Sequence, residues 1–281
     1  MSTEQLEKTA KEIRKAAFKA MYEAGKGHFG GSLSVIEILT VLYFKFLKID
    51  PSNPQLATRD RLVLSKGHAG PALYAALAER GYFPKEQLVE LDQSGGSLPK
   101  HVDRLKVPGV DISSGSLGQG LSICVGMALA AKLDSSDLRV YTILGDGELQ
   151  EGQVWEAAMT AGKYHLDNLT AIIDYNRLQI DGAVEDVMPI EPLEDKWKSF
   201  GWNTLMVNNG HYIPELFKSV ETAINTKGKP TVIIARTVKG KGISFMENQV
   251  KWHSGSITEE EFQRGMRDLE GSGSNDQCRK C

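Results

Sequence analysis

Two short apolar runs in this chain each stop on an oxygen-bearing side chain suited to a hard cation. Residues 141–147 read Tyr-Thr-Ile-Leu-Gly-Asp-Gly and residues 169–176 read Leu-Thr-Ala-Ile-Ile-Asp-Tyr-Asn, so Asn176 follows Asp146 by thirty residues. Length and β-branched content make both runs strands. In neighbouring parallel strands, Asp146 and Asn176 would meet at the carboxyl edge of one sheet, where open α/β folds bind ligands. Mg²⁺ takes about six oxygens, one or two of them commonly protein carboxylate or amide and others phosphate and water. Asp146, Asn176, a backbone carbonyl just beyond Asn176 and two phosphate oxygens would nearly fill that shell. Gly145 and Gly147 leave room for a phosphate at the backbone. The expected occupant is a diphosphate held through one Mg²⁺ or Ca²⁺. A plain Asp-Gly turn at a strand end is the simpler alternative.

Four of the six histidines, His28, His68, His101 and His253, stand in segments broken by glycine or proline. Loops carry function more often than helix faces do, and imidazoles can bond phosphate or sugar hydroxyls and move protons near neutral pH. No pair has the spacing of a zinc site, so a phosphate or polyol pocket leads over metal ligation. His165 and His211 are expected to be structural. Glu151 and Glu156, on the helix after Gly147, fall on opposite sides of it, and solvated carboxylates are the plain alternative for both.

The elements that must position these groups alternate. Apolar periodicity predicts an amphipathic helix over 4–24, a break at Gly25 to Ser32, and a buried helix over 35–47. A strand at 61–65 and a helix at 71–80, with Pro71 near its start, come next. Residues 92–116 read as loop, and 117–133 as a small-residue helix. Strands at 139–144, 169–174, 203–208 and 231–236 alternate with helices at 151–165, 192–200 and 213–227, after a long loop to about 191. This is an α/β pattern, a mostly parallel sheet with helices on both faces. One domain is expected over 1–270, its sheet core between about 60 and 236, with a flexible tail at 271–281.

A hydrophobic content of 41% and a charged content of 25% suit a soluble enzyme, and a net charge of −3 with no basic cluster gives no reason to expect nucleic acid. No apolar run is long enough to span a membrane and no signal segment is seen, so a cytoplasmic location is expected. Three cysteines build no disulfide framework. Cys124 reads as a small core residue, and Cys278 with Cys281 is at best half a zinc site.

Taken together, the residues resemble the transketolase family over nearly the whole chain. Gly145-Asp146-Gly147-Glu148-Leu-Gln-Glu151-Gly-Gln-Val-Trp-Glu156-Ala, followed by Asp174-Tyr-Asn176, is similar to that family's thiamine diphosphate motif. Ser65-Lys-Gly-His68-Ala, Gly115-Ser-Leu117-Gly-Gln-Gly120 and Lys239-Gly-Lys-Gly with His253 match its other signatures in the right order. The resemblance implies the thiamine-diphosphate-binding fold. It implies that Asp146, Asn176 and the carbonyl of Leu178 bind Mg²⁺ or Ca²⁺. The cofactor-binding set would be His68, Gly145, Gly147, Glu148 and His253 around the diphosphate, with Gly115 and Leu117 meeting the aminopyrimidine through the backbone. His28, His68, His101 and His253 would line the donor channel. Glu156 would meet its symmetry mate in a carboxylate network that Glu151 joins.

Full-length members carry a second domain that supplies the glutamate activating the aminopyrimidine, and nothing after His253 could form it. The chain therefore resembles the N-terminal subunit of a split transketolase. Such a subunit would act with a separate C-terminal subunit in an α₂β₂ assembly, moving a two-carbon ketol unit from a ketose, often phosphorylated, to an aldose. Two positions depart from the family pattern. His101 stands in Pro99-Lys-His-Val where Gly-His-Pro is common, and His28 precedes Phe29 rather than proline. Both lie at the donor end, so the usual pentose-phosphate substrates do not carry over. The alternatives are a non-catalytic scaffold subunit of the same fold, or a related enzyme such as 1-deoxyxylulose-5-phosphate synthase.

Overall fold

Five strands, β1 (Arg61–Leu64), β2 (Val140–Gly145), β3 (Leu169–Tyr175), β4 (Asn203–Val207) and β5 (Thr231–Arg236), pair in the order β1-β2-β3-β5-β4, every pair parallel. The computed structural model describes residues 1–271. Alternate strand residues point to opposite faces, and the chain uses this to build two cores. Leu62, Tyr141, Ile143, Ile172 and Ile233 face one, whereas Val63, Leu144, Ile173, Val232 and Ile234 face the other. Burying an aliphatic side chain of this kind stabilises by ~1.5–3 kcal/mol.

Helices α1 (Thr3–Glu23), α3 (Ile36–Val41), α4 (Gly70–Arg80) and α9 (Ile213–Asn225) cover the first face. Helices α5 (Gln119–Leu133), α6 (Gly152–Lys163) and α8 (Leu193–Ser199) cover the second. Helix α4 is buried on every side from Gly70 to Ala78, because it packs against α1 and α3 and the short helical segments around them. A helix apolar all round has no solvent face to offer. Its first turn holds Pro71, and Gly81 ends it in the left-handed conformation.

The expected helix over 35–47 is interrupted. A short α2 (Phe29–Leu33) forms inside the predicted glycine break, α3 follows, and Leu42–Phe46 widens into a π-helical turn. All of α2 is buried, so tertiary contacts outweigh the cost of its glycines. The long loop after β3 contains one helical turn, α7 (Val184–Val187). Helix α10 (Glu259–Gly271), absent from the predicted elements, stacks Phe262 on Tyr22 of α1 at a ring-centroid distance of 4.1 Å. Cys124 is buried in the second core, and Cys278 and Cys281 lie outside the described residues. Among the described residues no helix is long and apolar enough to cross a membrane.

Candidate active site

Parallel pairing puts every strand's last residue at one edge. Gly145 of β2 is in register with Asp174 of β3, which is in register with Ala235 of β5. Asp146 and Asn176 therefore leave adjacent strands side by side, as the two apolar runs predict. The segments after β1 and β5 add Lys66 and Lys239, and a cavity of roughly 360 Å³ opens over this edge.

Asp146 is 3% exposed. One of its oxygens accepts from Gly147 N at 2.8 Å and the other from Arg177 N. Burial, followed by the charge of Asp174, pushes its carboxyl up to about 6 against those hydrogen bonds. Asn176 is oriented by its neighbours: Nδ2 donates to Asp174 Oδ2 at 3.0 Å, and Oδ1 accepts from Leu178 N at 3.1 Å. The Leu178 carbonyl accepts from Lys239 Nζ at 2.9 Å.

Asp174 is fully buried and collects four donors, Ser34, Lys66, Asn176 and Thr237. Burial would raise its carboxyl, but Lys66 and the hydroxyl donors hold it below the usual value. Glu148 is also buried, with Oε1 accepting from Ser65 Oγ and from Gly118 N at 2.9 Å, and Oε2 from Gly145 N at 3.0 Å. It thereby ties the end of β1, the start of α5 and the end of β2 together.

Three histidines pack around the fourth: the His28 ring lies 5.2 Å from His68 and 5.8 Å from both His101 and His253. Burial first, and nearby lysines and histidines second, lower His28 to about 4, His253 to about 3 and His68 well below the ordinary range. These three imidazoles are thus neutral near pH 7, each with one donor and one acceptor nitrogen. His253 Nδ1 lies 3.1 Å from Lys239 Nζ, so it is the acceptor and Nε2 carries the proton. His28 Nδ1 is buried without a partner. Gly115, at φ 150°, runs so close to His101 that an added Cβ would lie 2.9 Å from the ring.

Gly115, Leu117, Gly145, Gly147, Glu148 and Glu151 line the same cavity as the four histidines and the Asp146–Asn176–Leu178 set. Glu156 does not: it is exposed on the outward side of α6. His211 is buried away from the cavity, bonded to Glu37 and to Val238 N, and His165 Nδ1 pairs with the Gly228 carbonyl.

Residues 5–274 match the family described as transketolase, thiamine diphosphate binding domain. The chain belongs to the transketolase family. It is 50% identical over 268 residues to the 6-deoxy-6-sulfo-D-fructose transketolase subunit SqwG of a Clostridium species, covering 95% of this chain and 97% of that one. It is 42% identical over 269 residues to an apulose-4-phosphate transketolase subunit of Phocaeicola vulgatus, at 96% and 95% coverage. The solved transketolase of Campylobacter jejuni superposes with a TM-score of 0.90 at 34% identity, over 96% of this chain but 43% of that one. The chain thus spans about two-fifths of that enzyme, whereas it matches the subunit relatives end to end. It is an enzyme subunit of the transketolase type, a transferase.

The transketolase cofactor fits the groups present. Asp146, Asn176 and Leu178 offer oxygen alone, one carboxylate, one amide and one carbonyl, which is the donor type hard divalent ions prefer. The Leu178 carbonyl already faces a cation, accepting from the Lys239 ammonium, whose proton burial and Lys66 loosen while Asp146 and Asp174 hold it. Residue type and spacing gave no role to Lys66, Asp174, Gln150 or Gln179, all of which line the cavity. Lys66 and Asp174 stand inside the matched motifs, which was their only sequence signal.

Proposed function

We propose that this chain is the thiamine diphosphate-anchoring subunit of a two-chain transketolase, with residues 1–270 acting as one cofactor-binding unit. The observation that carries the reading is the convergence of Asp146, Asn176, the Leu178 carbonyl and neutral histidines in one cavity. Asp146, Asn176 and Leu178 O hold Mg²⁺ or Ca²⁺. Gly147, His68 and His253 take the diphosphate at the turn formed by Gly145 and Glu148. The Gly115 and Leu117 backbone meets the aminopyrimidine, which the Glu148 tie to Gly118 keeps in place. The bound cofactor supplies a carbanion able to carry a two-carbon ketol unit. His28, His68, His101 and His253 orient the donor's hydroxyls and pass protons among them, and the neutral His28, His68 and His253 each bring one donor and one acceptor nitrogen.

A C-terminal partner subunit completes the cavity, and the chain pairs with a second copy of itself in an α₂β₂ assembly. The self-contact uses the side of α5 and α6 that presents Ile123, Met159 and Glu156, with Glu151 at the cavity end. The donor is a ketose bearing an anionic group, in keeping with the sulfonated and phosphorylated sugars named for the two subunit relatives. A cytoplasmic location is part of the same reading and rests on a cysteine usage that builds no disulfide framework.

Titration calorimetry of thiamine diphosphate with Mg²⁺, on the chain alone and then in the presence of a C-terminal transketolase subunit, tests this alongside a ketol-transfer assay. Weak binding that becomes tight and active with the partner is expected. No gain from a partner, with Asp146→Ala leaving the signal unchanged, would overturn it in favour of a scaffold role. Light scattering tests the self-contact, and a monomer at micromolar concentration would count against it.

A further inference from the structure

One pair of amides at the cavity wall is half satisfied in a way that settles its orientation. Gln150 ends the 3₁₀ turn after β2, Gln179 sits in the loop after β3, and both line the cavity. Gln150 Nε2 donates to the Met188 carbonyl at 2.9 Å and to Gln179 Oε1 at 2.7 Å. A backbone carbonyl can only accept, so the nitrogen of Gln150 must face Met188. That same nitrogen needs an acceptor from Gln179, which turns Gln179 Oε1 toward Gln150. Gln179 Nε2 is left with two N–H groups and no hydrogen-bond partner among the described residues. The side chain also crosses Gly147 closely: a Cβ there would lie 3.2 Å from Gln179 Cβ and 3.3 Å from Oε1. Gly147 is where a diphosphate approaches the backbone in the proposed function.

We propose that Gln179 donates a hydrogen bond through Nε2 to the cofactor's diphosphate, and that Gln150 is a positioning residue that sets the Gln179 amide. The assignment rests on the cofactor reading. Its chemistry suits the place. Asp146, Glu148 and Asp174 already put three carboxylates beside the diphosphate end, and two lysines and a divalent cation answer them. A neutral donor adds a bond to an anionic oxygen without disturbing that balance. Bonds to charged acceptors are the stronger class, so losing this one should weaken binding about ten- to hundredfold.

Calorimetry with two probes, Mg²⁺–thiamine diphosphate and Mg²⁺–pyrophosphate, reads the diphosphate end directly and is run with the C-terminal subunit present, where binding is tight. Gln179→Met keeps the length and apolar stem that cross Gly147 while removing the amide. It should lose about tenfold or more against both probes. Gln179→Glu keeps an acceptor for Gln150 but places a carboxylate toward the diphosphate, and should lose more. Gln150→Ala frees the Gln179 amide to rotate and should lose about threefold. Unfolding curves show whether each variant is folded. Unchanged affinity in folded Gln179→Met, or a loss against thiamine diphosphate alone, would overturn the assignment. If the wild-type complex binds neither probe and matches Asp146→Ala, the cofactor reading itself falls and takes this inference with it.

Discussion

Two buried ionic clusters lie a short distance apart in this chain and finish their hydrogen bonding in different ways. Behind the cavity, Arg14 of α1 meets both oxygens of Glu37 of α3 at 2.7 Å, and His211 Nδ1 meets Glu37 Oε2 at 2.8 Å. His211 Nε2 accepts from Val238 N, so the ring donates to Glu37. Burial would raise the Glu37 carboxyl, yet Arg14 and His211 outweigh it and hold it at about 2. The cluster joins α1, α3, the start of α9 and the loop that carries Lys239. At the cavity, Asp174 is just as saturated, but the groups around it are not. Asp146 has its carboxyl raised to about 6, His28 Nδ1 has no partner, and Gln179 makes its bond to Gln150 through Oε1, leaving Nε2 without one among the described residues. Around Glu37 the carboxylate is fully answered, with only Arg14 Nε left unpartnered among the described residues, and the cluster holds the fold; the cavity cluster keeps its unspent bonding capacity beside a ligand site.

Substitutions should separate the two. Glu37→Ala strands the buried Arg14 guanidinium and should cost about 3–5 kcal/mol in urea unfolding. A loss below about 1 kcal/mol would dissolve the contrast. Asp146→Asn should cost far less when Mg²⁺ and thiamine diphosphate are absent. Because the folded-state carboxyl titrates near 6 rather than near 3.8, the folded chain binds that proton more tightly than the unfolded chain does. The ionised form therefore costs stability above about pH 6. The substitution removes that cost but turns an amide N–H₂ against one of the two backbone N–H groups from which Asp146 accepts, so the net gain at pH 7.5 should be at most about 1 kcal/mol, and the variant should turn destabilising as pH falls toward 3.8. The same variant should lose Mg²⁺-dependent cofactor binding, the trade expected where a site holds unfavourable charge for function.

Smaller effects sharpen the comparison further. Removing the Ser65 hydroxyl takes one of three donors from Glu148, and Ser65→Ala should cost about 1 kcal/mol because Gly118 and Gly145 remain. His28 faces Lys26, Lys100, His101 and Lys239, and burial with these charges keeps its imidazole neutral down to about pH 4. Its contribution to stability is fully present above about 6.5 and is lost as pH falls toward 4. An NMR titration should show the His28 ring signals still between pH 8 and 5. A midpoint near 6.5 would remove the histidine cluster from the contrast.

Much of this was legible from the residues. The five strands and the meeting of Asp146 with Asn176 follow from two apolar runs of parallel-sheet type, and α4, α5 and α9 follow from periodicity. Helix α2 was hidden because Gly30 and Gly31 argue locally for a break, and only burial against Lys239 and Trp252 makes a helix there worthwhile. Helix α10 was not assigned although Phe262, Met266 and Leu269 recur at helical spacing: three apolar residues in an acidic stretch gain weight only once Phe262 meets Tyr22 and Phe18. The roles of Lys66 and Asp174 were out of reach, since their contact spans 108 residues of chain and no spacing rule reaches that far.

The sequence by itself determined the strand register's endpoint: side chains that follow β2 and β3 must share an edge, because parallel strands bring like ends together. It also determined that the four cavity histidines stand between the long elements, although His28 caps the short α2 and His68 and His253 fall in single 3₁₀ turns. Tertiary structure alone decided protonation and satisfaction. Whether Asp146 sits near 6, whether His28 stays neutral, and whether Gln179 bonds Gln150 through its oxygen all depend on which distant groups share a low-dielectric space, and that is a property of packing rather than of order along the chain.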